Sequence, residues 1–125
     1  MRWVIPLALL VTACGGSGSD TTPSPSPAPA AAPATITIAN NAVSPTSVTI
    51  SRGSRVTFIN NDTRVHDMES NPHPAHTDCP EINQVGLISP GQSRQTGVLN
   101  TVRTCGYHDH DQDAVRSLQG TITIQ

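Results

Sequence analysis

The sequence predicts an all-β fold, a β-sandwich, behind an N-terminal stretch that does not belong to it. In the last 91 residues, 35–125, apolar side chains recur with a period of two, and Gly, Pro, Asn and Asp interrupt them at short intervals. No stretch there carries the i, i+3, i+4 stripe of an amphipathic helix. Short strands with frequent turns are the signature of two packed antiparallel layers.

The strands follow in order. Ile36 and Ile38 alternate with Thr35 and Thr37, and Val48 and Ile50 with Ser47, Thr49 and Ser51. Val56 and Phe58 alternate with Arg55 and Thr57, and Ile122 and Ile124 with Thr121, Thr123 and Gln125. Each has β-branched content and one apolar face, as a half-buried strand requires. Ser51-Arg52-Gly53-Ser54 predicts a tight turn, with Gly53 free to take a positive φ. Asn60-Asn61-Asp62 and Ser89-Pro90-Gly91-Gln92 predict two more. Residues 67–84 carry little apolar pattern and read as a long loop, which in a compact domain is usually functional. A domain this small buries a modest core, so a metal or a disulfide would help to hold it.

The first 34 residues read as an address and a tether. In MRWVIPLALLVTA, residues 1–13, Arg2 precedes an apolar run too short for a bilayer span of ~20 residues. The run ends in Val11-Thr12-Ala13-Cys14, which resembles the lipobox of bacterial lipoproteins, with Cys14 as the lipidated residue. Residues 14–34 then form a Gly/Ser and Pro/Ala linker with no core-forming residue, expected to be disordered and partly extended. The expected organisation is a signal peptide at 1–13, a lipidated linker at 14–34 and a domain at 35–125. The expected location is the bacterial cell envelope; Gly15 favours the outer membrane, facing the periplasm, in a Gram-negative host.

Charge excludes several functions. Seven basic residues, all Arg, against nine acidic ones give a net charge of -2. Only Phe58 and Tyr107 supply aromatic rings to the domain. No nucleic acid partner is expected from such a surface. No Gly-rich phosphate loop and no Ser/His/Asp arrangement is recognisable, so the protein is not expected to be an enzyme.

The chemistry lies in His and Cys. His66, His73, His76, His108 and His110 all fall within residues 66–110, with Cys79 and Cys105 among them. Imidazole and thiolate are the natural ligands of copper and zinc. With Cys14 lipidated, Cys79 and Cys105 are the two remaining thiols, and outside the cytoplasm such a pair often closes a disulfide. That bond is worth about 3–4 kcal/mol on the chain-entropy model. It would also remove the thiolate from any metal, so both fates of Cys105 stay open.

The order of these residues resembles the cupredoxins, the blue-copper family of plastocyanin and azurin. One His follows an early strand, Cys105-Gly106-Tyr107-His108 comes late, and Gly120-Thr121-Ile122-Thr123-Ile124 looks like the closing strand. Residues 38–45, 51–62 and 89–93 resemble the first strand and its turn, the strand leading to the first His, and the Pro-Gly turn. The resemblance implies a Greek-key sandwich with a mononuclear copper held by His66, Cys105 and His108. The axial position falls on Leu118, which does not coordinate; Met68 is a second axial candidate, and His110 and Cys79 are additional ones. Val102-Arg103-Thr104 replaces the aromatic-rich strand usual before the Cys.

Two functions follow. The first is a lipid-anchored one-electron carrier with a redox partner protein. The second is a copper-storing or copper-delivering protein with a copper-exchange partner, a His-rich site of His66, His108 and His110 with His73 and His76 as further candidates, and a Cys79–Cys105 disulfide.

Overall fold

The computed structural model describes residues 15, 16, 18, 22–26 and 33–125. The lipidation expected at Cys14 and the signal peptide before it lie outside the described residues. Among the described residues no helix is long and apolar enough to cross a membrane.

Among the described residues nine strands form two sheets: β1 (Ala34–Ala39), β2 (Ala42–Ser44), β3 (Ser47–Ile50), β4 (Val56–Asn60), β5 (His66–Ser70), β6 (Gly86–Ile88), β7 (Ser93–Gln95), β8 (Arg103–Asp109) and β9 (Gly120–Ile124). One sheet has the order β2-β1-β4-β7 and the other β3-β9-β8-β5-β6. β1 runs parallel to β4 and β3 parallel to β9, while the other pairs are antiparallel. This is the all-β sandwich that the period of two predicts.

The alternating residues meet between the sheets. Ile36, Ile38, Val56 and Phe58 from one sheet are buried, as are Val48, Ile50, Ile122 and Ile124 from the other. Phe58 and Tyr107 pack edge to face, with centroids 5.2 Å apart, a geometry that favours an aromatic pair. Leu118 is fully buried in this core. Gly53 takes a φ of 87°, and its turn closes with Ser54 N donating to Ser51 O. The Asn60 turn is tied from inside: the buried Asn60 Nδ2 donates to Arg64 O and Ile88 O, and its Oδ1 accepts from Asp62 N.

Gly120 is needed for close approach. A Cβ there would fall on the Tyr107 hydroxyl and on Thr46 O. Gly120→Ala must shift the Tyr107 ring and the Thr46 carbonyl, and is expected to destabilise the domain by about 1–3 kcal/mol. Urea denaturation measures this loss, and an unchanged midpoint would contradict it.

The expected loop at 67–84 is partly a strand. Its first four residues belong to β5, which pairs with both β6 and β8. His66, Met68 and Ser70 point inward, alternating with Asp67 and Glu69. The period of two is present, but two of its three inward residues, His66 and Ser70, are polar, so hydropathy shows little of it.

Candidate metal centre

β8 decides which side chains can meet. It stays extended from Arg103 to Asp109, so its side chains alternate between the faces of the sheet. Cys105, Tyr107 and Asp109 share one face, and Gly106 and His108 share the other. Cys105 and His108 are three positions apart, an odd number, and therefore point to opposite sides.

On the inner face, the pairing of Met68 with Asp109 places Asp109 beside His66. His66 Nδ1 lies 2.6 Å from Asp109 Oδ2, with both side chains buried. The other oxygen of Asp109 accepts from Asp111 N and caps the short 3₁₀ turn His110–Gln112. His66 Nε2 lies 3.4 Å from Asp62 Oδ2. The backbone N–H of Asn41, then that of Thr63, holds the Asp62 carboxyl below its ordinary value.

On the outer face, the chain after β5 folds back over His108. Asn71 N donates to Gly106 O, Asp78 N to Asn71 O and His76 N to Pro72 O. Asn83 fastens this segment, accepting from Ser70 N and donating to His76 O. His76 is held at a φ of 51°, in the left-handed region. By Cys79 the segment has passed to the inner side of β8, where the buried Cys79 and Cys105 form a disulfide, with Cα atoms 6.0 Å apart.

Four imidazoles converge there. His73 and His76 come from the folded-back segment, and His108 and His110 from the end of β8 and the turn after it. One nitrogen of each lies within 4.8 Å of the others. His76 and His108 are stacked with centroids 5.0 Å apart, and His76 Nε2 lies 2.9 Å from His110 Nδ1. His76 Nδ1 is engaged by Ser70 O at 2.9 Å and Glu69 Oε2 at 3.0 Å. His108 Nδ1 is engaged by Asn71 Oδ1 at 2.7 Å, while its Nε2 is buried with no hydrogen-bond partner. Burial, then the neighbouring His76 and His73, pushes the His108 pKa down. A neutral imidazole with an unpaired buried nitrogen is a lone pair ready for a cation.

The ligand set His66, Cys105 and His108 is therefore corrected. Cys105 carries no thiolate because its sulfur is bonded to Cys79, so Cys79 is no ligand either. His66 faces inward and is paired with Asp109. Met68 and Leu118 are fully buried in the core, outside the imidazole cluster. His108 and the additional candidate His110 do lie together, joined by His73 and His76, which the cupredoxin resemblance leaves out of its ligand set. The signal in the sequence was the spacing His-x-x-His at 73–76 and His-x-His at 108–110. Asn71 and Glu69 carried no signal, since neither is a usual ligand at a recognisable spacing.

No protein-family model matches the chain, and no curated protein sequence matches it. Solved structures do match its fold. Oxidised plastocyanin from Dryopteris crassirhizoma superposes with a TM-score of 0.59 at 21% identity, covering 74% of this chain and 100% of the plastocyanin. Amicyanin from Paracoccus versutus gives 0.60 at 15% identity, covering 76% and 83%. A purple cupredoxin from Nitrosopumilus maritimus gives 0.54 at 19% identity, covering 74% and 99%. The chain has the cupredoxin fold, with four histidines on the outer face of β8 and a histidine–aspartate pair between its sheets.

Proposed function

We propose that this protein binds copper through His73, His76, His108 and His110, and that it stores the ion or delivers it to a copper-exchange partner. The observation that carries this reading is the convergence of four imidazoles, one nitrogen of each within 4.8 Å of the others, one of these rings, His108, having a buried Nε2 with no hydrogen-bond partner. An all-nitrogen set of this kind favours Cu(II) over the other divalent first-row metals. The likeness to copper-carrying folds agrees, since one matching amicyanin is described in its Cu(I) form. Copper held there supplies a centre able to accept or give one electron.

The chain's own residues bind and orient. Glu69 and Ser70 O hold His76 through Nδ1, and Asn71 holds His108 through Nδ1, which leaves the Nε2 atoms for the ion. The protein binds and exchanges its ion and does no bond-making. The sequence supports a tether through lipid on Cys14 in the bacterial cell envelope, where the disulfide would persist. One-electron transfer is the second reading. The fold alone favours it, and it would use the four imidazoles in place of a site built from two histidines and a cysteine.

Copper titration of the purified domain tests the assignment. One equivalent of Cu(II) is expected to bind with only weak visible absorption, and a thiol assay is expected to find no free thiol in residues 35–125. An intense thiolate-to-copper band, lost in Cys105→Ser, would sink the reading.

A further inference from the structure

We propose that Asn71 is a positioning residue of the copper centre, fixing His108 as the tautomer protonated on Nδ1 so that Nε2 faces the ion. The inference rests on the four-histidine reading for its purpose, but on geometry for its content. The Asn71 carboxamide oxygen lies 2.7 Å from His108 Nδ1. An amide oxygen only accepts, so Nδ1 must carry the proton. In the neutral ring the opposite nitrogen is then unprotonated, and it is the buried atom that finds no partner in the protein. With Nδ1 engaged, Nε2 is the nitrogen left for an ion at the cluster.

Two further features hold the amide in place. The Asn71 backbone is tied on both sides, N–H to Gly106 O at 3.0 Å and C=O to Asp78 N–H at 2.9 Å. The residue beneath its side chain is Gly106, where a Cβ would fall on the Asn71 amide nitrogen. Gly106 is on the same face of β8 as His108, so the strand leaves a gap at the place the carboxamide needs. The ring of His108 is also stacked on His76 at an interplanar angle of 24°, which limits its rotation. Positioning partners of metal-bound histidines typically account for roughly 10–100-fold in affinity.

Nitrogen-15 NMR of the metal-free protein, at a pH where His108 is neutral, reads the tautomer directly. The Nδ1–H form is expected. Copper affinity is then compared by competition titration in three variants. Asn71→Leu is expected to lose roughly 10–100-fold, and Gly106→Ala, which leaves Asn71 in the chain but displaces its amide, is expected to lose a similar factor. Asn71→Asp keeps the acceptor and should retain both the tautomer and the affinity. An Nε2–H tautomer in the unaltered protein overturns the proposal, as does wild-type copper affinity in both Asn71→Leu and Gly106→Ala. If the unaltered protein binds no copper, the four-histidine reading fails, while the tautomer still decides what Asn71 does. If the Leu and Ala variants do not fold, the tautomer of the unaltered protein and that of Asn71→Asp give the answer.

Discussion

Breaking the Cys79–Cys105 disulfide is expected to cost both stability and copper. The bond joins residues 26 positions apart, so opening it frees a long loop in the unfolded chain and lowers stability by about 3–4 kcal/mol. Its second effect is local. Cys79 lies three residues after His76, and Cys105 three before His108, so the bond anchors the segment carrying half of the imidazoles to the strand carrying the rest. Without it, the ion must order that segment from its own binding energy. A cost of even ~1.4 kcal/mol is tenfold in affinity, so a loss of roughly tenfold or more is expected. Reduced protein, or the double variant Cys79→Ser and Cys105→Ser, is compared with the oxidised form by urea denaturation and copper competition. Reduced protein should still show no intense blue band, because Cys105 points to the inner face, away from His108. Unchanged affinity after reduction would show that the disulfide plays no part in the site.

The contrast between His108 and His66 has the second large effect. Both are buried, but they face opposite sides of one sheet. His108→Ala removes one of four nitrogens. If the ion binds with the ~10–16 kcal/mol typical of a structural site with four ligands, one ligand is worth about a quarter, or roughly a hundredfold or more in affinity. His66→Ala should leave copper affinity nearly unchanged in the folded protein. It should instead destabilise the fold by about 3–5 kcal/mol, because Asp109 is left buried without its partner. Equal copper loss in both variants would restore His66 to the metal site. Copper loss in His66→Ala alone would refute the four-histidine assignment.

The strands of the core were legible in the sequence. Ile36/Ile38, Val48/Ile50, Val56/Phe58 and Ile122/Ile124 alternate cleanly because one face of each meets the opposite sheet and the other meets water. β5 was not legible as a strand beyond His66. Its inward residues include the polar His66 and Ser70, so only Met68 contrasts in hydropathy with Asp67 and Glu69. The short strands β2, β6 and β7, three residues each, hold too few positions to display a period.

The candidate site was legible as a composition but not as an assembly. That five histidines and two cysteines mark the functional region follows from residue types alone. The linear order of His66, Cys105 and His108 implied one copper site, and the alternative with a Cys79–Cys105 disulfide and a His-rich site stood beside it. Two structural facts bear on the choice: the Cys79–Cys105 bond, and β8 remaining extended through Asp109. Had the strand ended at Cys105, a turn could have brought Cys105 and His108 to one point.

The sequence by itself determined the sandwich, the copper-type donors and the two cysteines available to pair, because these depend on residue type and local period. The tertiary structure decided which donors meet. In an extended strand, odd separations point to opposite faces and even ones to the same face, so His108 was parted from Cys105 and from inward-facing His66. The folding back of residues 71–80 then brought His73 and His76 to His108 and His110, a contact between segments more than thirty residues apart that no local pattern encodes.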